Sequence, residues 1–216
     1  MLLTLVTNSL KAGRAIFLVG MWSTLARIVT AITSLMVFPM LMNALGKERY
    51  GIWVVIGQTI GFFALSDFGV GSSVANLIAR TRMSHHRKMV NAVWTNAIFC
   101  LSISSFVLIG LGMIFVPIII NHLESDPINL TSSSTAFYIG VVSFAILMPI
   151  RAAEGAVLGF QKFHFPHISR ILQSISYFAM IACLFYSENL NLVTLAIAFA
   201  ISATIGESLN LFWLLF

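Results

Sequence analysis

The stretch that decides the fold is residues 45–82, which reads LGKERYGIWVVIGQTIGFFALSDFGVGSSVANLIARTR. A short charged turn at 46–49 opens into an apolar run that is long enough to cross a membrane. The run holds one acid, Asp67, two residues before the first of two closely spaced glycines, Gly69 and Gly71. An acid and flexible positions are costly within a membrane-length segment, so we interpret this sequence as a functional break in a span.

The composition indicates an all-α membrane protein. Hydrophobic residues make up 59% of the chain and charged residues only 9%, whereas a soluble domain carries roughly 25% charged residues. Apolar runs of about the ~20 residues that a bilayer requires recur along the whole length. The net charge of +5 is therefore read as a topology signal, and no nucleic-acid partner is expected.

We predict six membrane spans that form one polytopic helix bundle over residues 1–216. Gly57 and Gly61 give a small-xxx-small step, which predicts a close helix contact in the second span. The chain stops on apolar residues, so we expect it to be truncated at its C-terminus, as one half of a larger transporter. The alternative is a small six-helix protein that oligomerises. The expected spans are about 15–42, 50–78, 92–120, 135–158, 168–186 and 192–216.

The basic residues segregate to one side of these spans. The opposite side receives only Lys47 and Arg49, beside four acids, Glu48, Glu124, Asp126 and Glu188. By the positive-inside rule, the N-terminus is expected to be cytoplasmic. The residues on the basic side are Lys11, Arg14, Arg80, Arg82, Arg87, Lys88, Lys162 and Arg170.

One family resemblance is carried by the opening stretch. It contains Leu45-Gly46-x-Glu48-x-Tyr50-Gly51-x-Trp53, then Asp67-Phe68-Gly69-Val70-Gly71-Ser72 and Ala79-Arg80. This pattern resembles the first two helices of the polysaccharide flippases of the O-antigen and teichoic type. Those flippases belong to the multidrug/oligosaccharidyl-lipid/polysaccharide exporter superfamily. The motif covers about a sixth of the chain, and the later spans are compatible with the family in order and loop length.

The resemblance implies a bacterial inner-membrane protein with two six-helix bundles, of which this chain matches the N-terminal one. It implies flipping of an oligosaccharide repeat unit linked to undecaprenyl diphosphate, for surface polysaccharide biosynthesis, by alternating access. The implied partners are this lipid-linked oligosaccharide, membrane lipid and the polysaccharide polymerase machinery.

Arg27 is the first candidate for a substrate-binding residue. A charged side chain within a span costs at least ~2.5 kcal/mol on insertion scales. Arg27 shares a small, polar helix face with Gly20, Thr24, Ala31 and Ser34, so we expect it to point into the bundle. There it could bind a diphosphate or a sugar acid. The alternatives are an ion pair with Asp67 and a side chain that snorkels to the cytoplasmic edge.

Arg151 and Glu154 are also candidates for the substrate cavity. They are three residues apart near the cytoplasmic end of the fourth span, so they share a helix face. An interfacial ion pair is the simpler interpretation. The alternative is a cytoplasmic gate or part of a headgroup site.

Four residues are candidates for coupling or hinge positions: Asp67, Gly69, Gly71 and Glu207. Asp67 could cap a helical segment at the break, bind a coupling cation or pair with Arg27. The two glycines could act as a hinge or allow close helix approach. Glu207 shares a face with Asn210 in the sixth span and could take a proton or sodium ion, although it could equally lie near a cytoplasmic end.

No catalytic triad, phosphate loop or metal-ligand cluster is evident in the sequence, so we expect no enzyme activity, no cofactor and no metal. Two rival functions remain open. A cation-coupled multidrug exporter of the same superfamily would need acids in its cavity and would tolerate Arg27 poorly. A membrane glycan polymerase or ligase would be expected to carry a sizeable outer loop, and here the outer loops are short.

Overall fold

The protein is an all-α bundle. The computed structural model describes residues 2–64, 69–83, 87–123 and 127–215, and all regular secondary structure in these ranges is helical, as predicted. A 3₁₀ turn, Pro149–Arg151, separates the fourth and fifth α-helices. The helices are α1 (Leu2–Ala64), α2 (Val70–Met83), α3 (Arg87–Leu123), α4 (Pro127–Leu147), α5 (Ala152–Gly159), α6 (His164–Tyr186) and α7 (Leu192–Leu215).

Helix α1 is two helical arms joined at a sharp break. Gly46 has φ 75° and ψ 171°, a combination that only glycine adopts readily. On either side of it, the rings of Phe38 and Tyr50 meet edge to face with centroids 5.4 Å apart. Twelve residues of straight helix would separate their Cα atoms by about 18 Å, so the chain turns sharply at Gly46. The two arms are 2–45 and 47–64.

Within the described ranges, five helical stretches are long and apolar enough to cross a membrane. The first, of 45 residues, contains the break and would extend about 68 Å if straight, roughly twice the ~30 Å of a bilayer core. Its two arms give six crossings in total, which agrees with the predicted count of about six, and the protein is a multi-pass membrane protein. The stretches are Val19–Phe63, Met89–His122, Leu130–Gly159, His164–Tyr186 and Leu192–Leu214.

The second predicted span, 50–78, is divided in the structure. The first helix ends at Ala64 and α2 begins at Val70, directly after Gly69, which has φ 73°. The interruption therefore falls in the glycine-rich sequence singled out above. Asp67 lies outside the described residues.

Five helices pack in a closed ring. Helix α2 packs on α3, α3 on α4, α4 on α7, α7 on α5, and α5 again on α2. Helix α6 packs on the outside of α7, and α1 packs along α6. The second arm of α1 also reaches the ring, where Ile60 fits against Gly140 of α4. Helix α7 thus packs against α1, α4, α5 and α6, and α5 packs against as many helices.

Helices α2 and α5 approach each other backbone to backbone. A Cβ atom built on Gly155 would lie 2.5 Å from the carbonyl oxygen of Gly71, and one on Gly159 would lie 2.9 Å from that of Ala75. The predicted close contact at Gly57 and Gly61 is wrong, because a Cβ at either position would meet no described atom within 4 Å. The small-xxx-small step that brings two helices together is the one in α5.

The outer surface is strongly apolar. On α3, Phe99, Phe106 and Met113 are each about two-thirds or more exposed, and Leu35 and Phe62 of α1 are equally open. A soluble monomer rarely shows large contiguous apolar patches. These side chains suit contact with lipid. The polar residues of the candidate site therefore lie within a bundle whose outer surface is apolar.

Candidate functional site

Charged side chains of the fourth, fifth and sixth spans gather around one cavity. It has a volume of about 180 Å³ and lies between α5, α6 and α7. Its polar lining comes from residues far apart in the sequence: Arg151, Glu154, Ser169, Arg170, Gln173, Glu207 and Asn210. Arg151, Glu154 and Glu207 were predicted as site residues, and the structure brings all three together here.

The inner part of the cavity is built on Glu207. The carboxylate Oε1 lies 3.3 Å from Nε of Arg151, and Oε2 accepts a hydrogen bond of 3.3 Å from Nδ2 of Asn210. Asn210 is three residues beyond Glu207 on α7, so the two share a face, as expected. Arg151 leaves the 3₁₀ turn with its guanidinium carbon 4.5 Å from the centre of the Phe144 ring. The glutamate side chain is only 13% exposed.

A second ion pair lies nearer the surface. Nη2 of Arg170 approaches Oε1 of Glu154 at 3.5 Å, with side chains 56% and 30% exposed. Arg151 and Glu154, which were expected to pair with each other, thus each have a partner on another helix. The two pairs link α5 and its preceding turn to α6 and α7 by charge as well as by packing.

Arg151 and Glu154 also line a second cavity on their other side. This cavity, of about 260 Å³, is closed by Gly71, Ser72, Leu101, Gly155 and Leu158. The start of α2, next to the glycine-rich break, therefore lies close to the charged cluster. Gly71 is brought into contact with the same site as Arg151 and Glu154, whereas Gly69 lies at the turn before it.

Arg27 lies at the edge of this cluster, on the surface of the chain. The face predicted to point inward, with Arg27 at its centre, is exposed, because α1 packs on α6 through another side, which includes Thr30. Thr30 and Ser174 share a hydrogen bond of 3.0 Å between their hydroxyls. Arg27 lies about one turn before Thr30, and Arg170 about one turn before Ser174, so the two arginines flank the same seam.

The charges of the cluster do not cancel completely. Arg151 is paired with Glu207 and Arg170 with Glu154. Within the part of the chain that the structure describes, no carboxylate lies within ion-pair distance of Arg27. Among the described residues, Arg27 is therefore a cation without an ion-pair partner, and such a group within a span favours an anionic ligand.

Sequence reasoning missed the contribution of α6. Ser169, Arg170 and Gln173 are polar residues that recur at helical spacing in an otherwise apolar span. That spacing was the available signal, although Arg170 was read only as a topology marker. Their neighbours on α5 and α7 are determined by tertiary packing, so local sequence spacing could not predict them.

A comparison with known families identifies the family of this chain. The profile described as "Polysaccharide biosynthesis protein" matches residues 20–216. The chain belongs to this family. The resemblance to polysaccharide flippases that the sequence motif carried is thereby confirmed.

Two curated relatives are similar to this family member. The "Putative O-antigen transporter" of Shigella flexneri is 22% identical over 182 residues, which is 84% of this chain and 43% of the relative. The "Putative O-antigen export protein" of Yersinia pseudotuberculosis is 37% identical over 60 residues, which is 28% of this chain and 14% of the relative. The chain thus spans less than half the length of these relatives. No solved structure gives a significant match.

Proposed function

We propose that this chain is the N-terminal six-helix bundle of a transporter in the bacterial inner membrane. The transporter flips an undecaprenyl-diphosphate-linked oligosaccharide from the cytoplasmic to the outer leaflet. Family membership and the names of the two relatives support the substrate class. The observation that carries the proposal is the exposed Arg27, which has no ion-pair partner among the described residues, beside a polar cavity within the membrane-spanning helices.

The chemistry of the cluster suits a lipid-linked diphosphate. A guanidinium donates to phosphate oxygens in a fixed, forked geometry, and it stays charged at any physiological pH. Arg27 is exposed on the chain surface, so an anionic headgroup can reach it while its lipid tail stays among the apolar side chains outside. The charge of the ligand would compensate the cost of keeping Arg27 within a span.

The remaining predicted residues have roles that follow from their positions. Arg151 and Glu154 lie between the two cavities, so they are placed to gate passage from the cytoplasmic side in an alternating-access cycle. Gly69 and Gly71 lie at the start of α2 and would act as its hinge, together with Asp67. Glu207 is the candidate for a coupling proton or cation. The orientation with the N-terminus in the cytoplasm follows from the distribution of basic residues.

The rival exporter of cationic drugs is less well supported. Such a carrier needs carboxylates that are free to bind a positive ligand, but Glu154 and Glu207 each face an arginine. An enzyme that polymerises or ligates glycans is disfavoured by the short outer loops and by the transport names of the relatives. The chain is proposed to act as a carrier without catalysis.

The direct test locates the lipid-linked repeat unit in cells. A strain without the gene is complemented with the whole gene, with a gene ending at Phe216, or with none, and exposure of the repeat unit on the outer leaflet is measured. We expect exposure only with the whole gene. If the repeat unit reaches the outer leaflet in all three strains and no second flippase is present, the proposed function is wrong.

The role of Arg27 is tested in the same strain. Arg27→Gln removes the charge and keeps hydrogen-bonding capacity, and Arg49→Gln is a matched loss of one arginine from α1 away from the cluster. Because charge-assisted hydrogen bonds contribute about 1.5–3 kcal/mol, the Arg27 variant should lose at least about tenfold in flipping rate. The Arg49 variant should retain the wild-type rate. Equal rates for both variants would remove Arg27 from the proposed site.

A further inference from the structure

Two buried polar atoms at the cavity between α5, α6 and α7 have no hydrogen-bond partner among the described residues. Oγ of Ser169 and Oδ1 of Asn210 make no hydrogen bond to any residue in the described part of the chain. Both residues line the cavity, and they are only 1% and 4% exposed. Most buried polar groups in proteins are satisfied, and an orphaned one costs about 1–3 kcal/mol. These two atoms therefore indicate a site that receives a polar ligand.

The orientation of Asn210 is fixed by its neighbour. The carboxylate of Glu207 can only accept hydrogen bonds, so the amide nitrogen of Asn210 must face it. The amide oxygen is then left on the opposite side as an acceptor. Ser169 offers a hydroxyl that can donate or accept after rotation about one bond. The ligand must accordingly provide at least one donor and tolerate a hydroxyl beside it.

The net charge of the cavity excludes an ion as the best occupant. Two guanidinium groups, of Arg151 and Arg170, are balanced by the carboxylates of Glu154 and Glu207. A cation would meet the two arginines and an anion the two glutamates, so either would disturb a balanced set of charges. A neutral ligand with several hydroxyls suits it better, since each hydroxyl can donate to a carboxylate or amide oxygen and accept from a guanidinium.

The cavity adjoins the anion site by way of Arg170. That residue lines the cavity and also lies beside the seam of α1 and α6, about one turn before the Thr30–Ser174 bond, where Arg27 is found. A glycan linked to a lipid through a diphosphate has its first sugar directly next to the phosphates. The two sites therefore have the order that such a ligand requires.

We propose that this cavity is a binding site for a neutral sugar ring, with Ser169 and Asn210 as direct partners of its hydroxyls. It is distinct from the phosphate site at Arg27. The inference rests on the proposed function, because it assigns separate parts of the proposed ligand to separate residues. It also extends the proposed role of Arg151 and Glu154, which would contact the sugar as well as gate passage between the two cavities.

The test compares three ligands that differ only in the sugar, which is absent from one of them. The whole protein in nanodiscs is titrated with undecaprenyl diphosphate and with undecaprenyl diphosphate carrying one N-acetylglucosamine or one galactose. We expect at least one glycosylated ligand to bind more tightly than the bare diphosphate. Ser169→Ala and Asn210→Leu should each remove about two- to tenfold of affinity for that ligand, with the affinity for the bare diphosphate unchanged. Thr204→Ala, which removes an exposed hydroxyl from the same helix as Asn210, is the control.

Each other outcome has a defined meaning. Equal affinity of the wild-type protein for bare and glycosylated diphosphates overturns the sugar site and leaves the proposed function standing. Equal losses for all ligands in the Ser169 and Asn210 variants also overturn it, since they indicate a structural effect. Absence of binding to any of these ligands by the wild-type protein overturns the proposed function itself.

Discussion

The contact between α2 and α5 gives a sharp prediction about stability. In Gly155→Ala, the new methyl group would lie 2.5 Å from the carbonyl oxygen of Gly71, whereas ordinary van der Waals contact begins near 3.4 Å. The neighbour is backbone, so no side chain can rotate away, and the two helices must separate by about 0.9 Å. Overpacking of this kind costs about 1–3 kcal/mol.

Gly57→Ala is the matched control. Both substitutions gain the ~0.5–1 kcal/mol by which alanine exceeds glycine within a helix, but a Cβ at Gly57 meets no described atom within 4 Å. The difference between the variants therefore isolates the packing cost. It is measured by equilibrium unfolding of the purified protein in mixed micelles, followed by tryptophan fluorescence. We expect Gly155→Ala to be less stable than Gly57→Ala by about 1–3 kcal/mol. Equal stabilities would show that α2 and α5 are not in backbone contact.

Three further predictions concern the break in α1, the inner ion pair and the orientation of the chain. Gly46→Ala should destabilise the protein by about 1–3 kcal/mol in the same assay, while Gly51→Ala, with open space and no unusual φ, should be neutral or stabilising; equal effects would contradict the break. Arg151→Gln and Glu207→Gln should each destabilise the protein, and the double variant should destabilise it by less than the sum of the two. The coupling in this double-mutant cycle should be about 0.5–3 kcal/mol, and additive effects would contradict the pair. Lys162→Cys, in a protein without native cysteines, should react with a membrane-impermeant maleimide only in inside-out vesicles, and labelling in intact spheroplasts would reverse the proposed topology.

Much of the fold could be predicted from the sequence, because bilayer thickness fixes the length of an apolar helix. The six crossings and the two breaks at Gly46 and Gly69 are visible as composition and glycine placement. The sequence could not predict which pair of glycines forms the close contact between two helices. Gly57-xxx-Gly61 and Gly155-xxx-Gly159 look alike as local patterns, and only the position of α2 decides which one is used.

The candidate site was predicted only in part. The cost of charge in a membrane singled out Arg151, Glu154 and Glu207, and the structure assembles them around one cavity. Their partners could not be derived, because an ion pair such as Arg170–Glu154 depends on which helices become neighbours. The direction in which Arg27 points could not be predicted from the sequence either. Its helix has a small polar face and several apolar faces, and the face that packs on α6 is not the one that carries Arg27.

The break at Gly46 has a consequence for how the protein enters the membrane during synthesis. The two arms of α1 meet at a turn that carries Lys47, Glu48 and Arg49. In the proposed orientation these three charged residues must be carried through the hydrocarbon layer, at up to ~2.5–3.5 kcal/mol each when they pass its centre alone. Entry of both arms together, as a preformed hairpin with the acid between two bases, would lower that barrier. The translocation machinery is therefore expected to hold the first arm until the second has been synthesised.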